Sequence, residues 1–120
     1  MINLRKALHP YLKNLYDRVY FQQAPDTAQL PYIVYDITSI LDDGEGTQIV
    51  TLEIDGWDNA KDTTALENMM ETINQINKTV ITTDDLSVVF YLEGKYGFIE
   101  DDTKYNRRRY SYTGYLYERS

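Results

Sequence analysis

The chain has 120 residues and no cysteine, which removes disulfides, thiolate metal sites and cysteine nucleophiles together and fits a reducing cytoplasm. Histidine and tryptophan occur once each, as His9 and Trp57, and there are three prolines. No run of 18 apolar residues is present, so no membrane-spanning segment is expected. The opening MINLRKALHP is charged and lacks the apolar block of a secretion signal. Basic residues are in deficit: 12 Lys and Arg stand against 19 Asp and Glu, for a net charge of −7. Such a field repels phosphate and argues against general nucleic-acid binding. With 42% hydrophobic and 26% charged residues, the composition is that of one globular domain over residues 1–120. The excess is tyrosine, at 12 residues. Tyrosine gives large contact area at low entropy cost and is enriched at protein interfaces.

Leu4, Leu8, Tyr11, Leu12 and Leu15 recur at spacings of three and four, which predicts a helix over 3–16, kinked or restarted at His9-Pro10. A short strand at 18–21 and a loop at 22–30 follow. Strands at 32–41 and 47–57 form a hairpin about the turn Asp42-Asp43-Gly44-Glu45-Gly46. Asp62, Thr63 and Thr64 suit a helix cap, with Thr64 and Glu67 at capping-box spacing. The stripe Leu66, Met69, Met70, Ile73, Ile76 and Val80 then marks a second amphipathic helix, ending near Asn77-Lys78. A strand at 86–93, a loop at 94–106 and a last strand at 107–118 complete the chain. The order implies an α+β fold: an antiparallel or mixed sheet of four to five strands, with two helices packed on one face.

Reactive chemistry is sparse. His9 has no nucleophile or orienting carboxylate beside it in sequence, so a surface or capping histidine is the expectation. No nucleophile elbow, phosphate loop, zinc-protease string or dinucleotide fingerprint occurs. The acidic groups Asp42-Asp43-Glu45, Asp84-Asp85 and Glu100-Asp101-Asp102 lack the alternating pattern of a calcium loop. Turn chemistry accounts for Asp42 and Asp43, and contact with arginines of a neighbouring subunit is the alternative. Gly94-Lys95-Tyr96-Gly97 matches a four-residue RNA-clamp string, but follows a strand rather than lying between helices. Arg107, Arg108 and Arg109 alternate along a strand and cannot all face one nucleic-acid groove. Neither a catalytic residue nor a cofactor or metal site is expected.

Tyr110 and Tyr112 lie on one side of the last strand, and Tyr115 and Tyr117 on the other. A face covered by helices favours Val, Ile and Leu, so part of this tyrosine ladder is expected on the uncovered face. There it is either amphipathic surface or a contact made with another subunit. The candidate contact residues are Tyr110, Tyr112, Tyr115, Tyr117, Arg107, Arg109, Glu100, Asp101, Asp102, Asp42 and Asp43.

The segments RVYFQQAPDTAQLPYIVYD (18–36), TLEIDGWDNAKDTTALENMMETI (51–73) and the terminal Arg-Arg-Tyr-Ser-Tyr-Thr-Gly-Tyr strand resemble phage tail-completion proteins. These are the lambda-type tail terminators and tail-to-head joining proteins of long-tailed phages. The resemblance implies a non-enzymatic virion assembly protein, in a ring that is typically hexameric. Its partners would be further copies of itself, the tail tube protein and the head-tail connector, with DNA only passing through an acidic lumen. It would occupy the tail or neck of the virion after assembly in the bacterial cytoplasm. The rival readings are a stand-alone bacterial module that binds a protein or peptide through a tyrosine-rich sheet, and a small hydrolase or nuclease.

Overall fold

The computed structural model describes residues 2–100 and 105–119, with backbone alone at 99 and 100. The first helix, α1 (Ile2–Leu15), buries Leu4, Leu8 and Leu12 completely. It continues through Pro10 with no restart. The ring forfeits one hydrogen bond there, while Leu8 and Leu12 on either side are held in the core.

Among the described residues, six strands form one sheet: β1 (Val19–Phe21), β2 (Tyr32–Asp42), β3 (Gln48–Asp58), β4 (Val80–Thr82), β5 (Leu86–Glu100) and β6 (Tyr105–Glu118). Their spatial order is β1-β2-β3-β6-β5-β4. β1 and β2 run parallel and every other pair is antiparallel, so the sheet is mixed. The α+β class holds, with one strand more than the four to five expected.

The additional strand is β4. The second helix, α2 (Thr64–Ile73), gives way to a 3-10 turn at Asn74–Ile76. Lys78 then adopts φ +65°, which turns the chain out of the helix and into β4. Val80 is therefore an exposed strand residue, not the last member of a helical stripe. The expected loop at 94–106 is also largely strand. Gly94 pairs with Ser111 and Gly97 with Arg108 after a register shift at Leu92/Gly94. Glycine at such an irregularity bends a strand without ending it.

Both helices cover the same face. Across the interface, a Cβ on Gly56 of β3 would come within 2.5 Å of the Met70 sulfur and 2.9 Å of Met69 Cε, so α2 rests directly on that backbone. Gly114 of β6 makes equivalent room for the Phe90 ring, 2.5 Å from a would-be Cβ. Capping differs from the expected box: Asp62 Oδ1 accepts from the Thr64 amide at 2.9 Å and its hydroxyl at 2.6 Å, while Glu67 is drawn away to Arg108.

Candidate functional site

The strand register sorts the tyrosines and arginines to opposite sides. Tyr110 and Tyr112 face the helices. The Tyr110 hydroxyl donates to Glu71 Oε1 at 2.6 Å, and that of Tyr112 donates to Asn74 Oδ1 at 2.7 Å. Tyr112 is wholly buried and Tyr110 nearly so. Desolvation raises the pKa of both phenols, and the Tyr110 hydrogen bond holds the Glu71 carboxyl below its usual range. Named from sequence as contact residues, these two instead tie α2 to the sheet: helix burial takes the side of β6 on which they stand.

The uncovered face divides into two bands. Toward the hairpin turn, ladder pairing aligns Leu41, Ile49, Tyr115, Val89 and Val80 in one apolar row across five strands. Leu41 is 61% exposed, Tyr115 45% and Val80 63%, so the row is open to solvent. Tyr91 packs edge-on against Tyr115 at 5.8 Å, and Tyr117 stands exposed beyond them. The strip is contiguous and apolar on the face that the helices leave uncovered.

The second band is polar and internally paired. Arg109 makes a bidentate pair with Asp55, at 2.8 and 3.0 Å, and reaches Glu53 at 2.8 Å. The hydrogen bond to Asp55 is the main reason that the Arg109 pKa is raised. The Arg107 guanidinium lies 4.3 Å from the Phe98 ring centre and 5.2 Å from that of Trp57, with Asp55 Oδ2 at 3.5 Å. Arg108, on the helix side, pairs with Glu67. The described partners of these arginines are thus acids of β3 and α2. Strand pairing places β3 beside β6 along their whole shared length, and this proximity decides the partners. A depression of about 190 Å³ opens beside this band, lined by Gln22, Asp36, Glu53, Asp55 and Arg109 among others.

Asp42 and Asp43 are turn carboxylates. Asp42 Oδ1 accepts from the Gly44 amide at 2.8 Å, and Asp43 Oδ1 from the amides of Glu45 and Thr47 at 2.8 and 3.2 Å. Gly44 and Gly46 supply the positive φ of the turn. The Glu100 side chain, Asp101 and Asp102 lie outside what the structure describes.

His9 is absorbed into packing. Its Nδ1 lies 2.7 Å from the hydroxyl of the buried Tyr35. Desolvation, followed by Lys13 and Arg5, lowers the His9 pKa, while burial pushes Tyr35 up to about 12. A neutral imidazole and a neutral phenol each offer one donor and one acceptor to this contact.

The sequence pattern did not mark Leu41, Ile49 and Val89, and it placed Val80 on a helix. The signal was present in the consecutive pairs Ile40-Leu41, Ile49-Val50 and Val88-Val89, which put one apolar side chain on each face of a strand. Among the described residues, no three His, Cys, Asp or Glu side chains are grouped to hold a metal ion. No described helix is long and apolar enough to cross a membrane. No family model matches the chain, and no curated protein matches it.

Proposed function

We propose that this chain is a non-enzymatic assembly subunit of the phage tail-completion kind. Identical copies would form a closed ring, of six copies in the family that it resembles. The ring would cap the finished tail tube and present a surface to the head connector. The observation that carries this reading is the open apolar row of Leu41, Ile49, Tyr115, Val89 and Val80, flanked by Tyr91 and Tyr117. A row that spans five strands offers an extended apolar surface to another protein. The paired Arg109–Asp55 band beside it keeps the arginines from acting as free phosphate ligands.

Tubes polymerised from the tail tube protein of the same phage or prophage provide the test. Added protein is expected to stop elongation and to appear by electron microscopy as density on one tube end. A Tyr115→Lys, Tyr117→Lys variant is expected to leave growth unchecked. Tubes that elongate equally with and without the wild-type protein would rule out the capping role.

A further inference from the structure

We infer that copies of this chain join edge to edge, with the open half of β2 in one copy pairing antiparallel to the open half of β5 in the next. This rests on the self-association proposed above and specifies how it is built.

Each edge of the sheet is only half covered. β1 pairs with Ile33, Val34 and Tyr35 of β2. Among the described residues, no strand lies against the outer edge of β2 over 36–42. At the other edge, β4 pairs with Ser87, Val88 and Val89 of β5. Asn77 extends the cover by its bridge to Phe90 and by accepting the Leu92 amide at 2.9 Å. Among the described residues, nothing pairs with the outer edge of β5 over 93–100. Two stretches of similar length thus present unpaired backbone, a template for strand addition.

The two stretches occupy opposite corners. Gly94 is level with Ser111, then Glu53, then Asp36, and Phe98 is level with Arg107, Trp57 and Tyr32. The open part of β5 therefore lies beside the half of β2 that approaches β1, away from the open half of β2. Three successive antiparallel ladders separate the two strands, so β2 and β5 point in opposite directions. Laying a second sheet beside the first in the same orientation brings them together antiparallel.

The corner offset supplies a stagger. Five residues of displacement amount to about 17 Å, and the four strands from β2 to β5 that each copy adds to about 19 Å, from standard strand dimensions. A repeated step of that shape tilts the strands by about 40°, within the roughly 35–45° tilt of closed barrels. A head-to-tail contact with this geometry can close on itself, where a level one gives no such tilt. Both stretches also carry an exposed apolar side chain, Leu41 at 61% on one and Tyr96 at 51% on the other. Edge pairing sets the two side by side on the uncovered face.

Leu41→Cys and Tyr96→Cys combined in the natively cysteine-free chain provide the test. A flexible bis-maleimide is added across a concentration series, with sedimentation run in parallel and far-ultraviolet circular dichroism confirming the fold. A denaturing gel is expected to show a ladder of cross-linked multimers. Peptide mapping should find residue 41 joined to residue 96 between copies, and mixed single variants should give the heterodimer alone. An oligomer by sedimentation that yields no 41–96 link, or yields 41–41 or 96–96 links, overturns the edge model and leaves self-association standing. A monomer at every concentration overturns both.

Discussion

The Tyr112 hydroxyl donates a hydrogen bond to Asn74 Oδ1 at 2.7 Å, joining the middle of β6 to the turn that ends α2. Tyr112→Phe removes only this bond, from an Asn74 that water can still reach, and is expected to cost about 1 kcal/mol. Tyr112→Ser also empties a fully buried ring site and is expected to cost about 3–5 kcal/mol, the range for deleting a buried aromatic. Urea denaturation followed by circular dichroism separates the two. Equal losses for both variants would contradict this account of the ring.

The Arg109–Asp55 pair is expected to couple strongly. Its geometry is bidentate, and the Asp55 side chain is only 14% exposed. Arg109→Met leaves Asp55 beside Glu53 without its main partner and should cost about 2 kcal/mol, as for other broken charge-assisted bonds. Asp55→Asn in the same background should restore part of that loss. A double-mutant cycle with no interaction energy would show that solvent screens the pair.

Gly114→Ala would drive a methyl group into the Phe90 ring and is expected to cost about 1–3 kcal/mol, the usual penalty of overpacking. Adding Phe90→Leu, which withdraws the clashing edge, should recover part of it. Thermal melting of the three variants reads this directly, and a Gly114→Ala protein as stable as wild type would contradict the close approach.

His9 gives the fold a weak pH dependence of defined sign. Burial lowers its pKa in the folded state, so the unfolded chain takes up the proton more readily. The neutral form costs nothing above the ordinary value of 6.5, and stability falls as pH drops through that value toward the lowered one. His9→Gln, which does not titrate, should lose less stability than wild type between pH 7.5 and about 5.5, the window set by the ordinary histidine pKa. The acidic groups Asp62 and Glu71, whose pKa values are also lowered, lose their contributions only at still lower pH. Parallel curves for wild type and variant would contradict the partial desolvation of His9 beside Tyr35.

The sequence foretold what local periodicity controls. The α1 stripe, the hairpin at Asp42–Gly46 and the alternation of β6 follow from spacing and turn residues alone. Its misses share one cause, which is that partner choice is non-local. Val80 continues a helical spacing, yet Lys78 ends the run by turning the backbone left-handed. The glycines at 94 and 97 resemble loop residues until β6 is seen to supply their hydrogen bonds. Tyr112 and Tyr115 are equally tyrosine in sequence. Only the side on which α2 settles makes one a core ring and the other a surface ring.

Native mass spectrometry over a concentration series tests the central claim, self-association into a closed ring, most directly. The account predicts one discrete multiple of the 14.1 kDa chain, lost on substituting Tyr115→Lys and Tyr117→Lys. A wild-type protein that stays at the mass of a single chain throughout would contradict it.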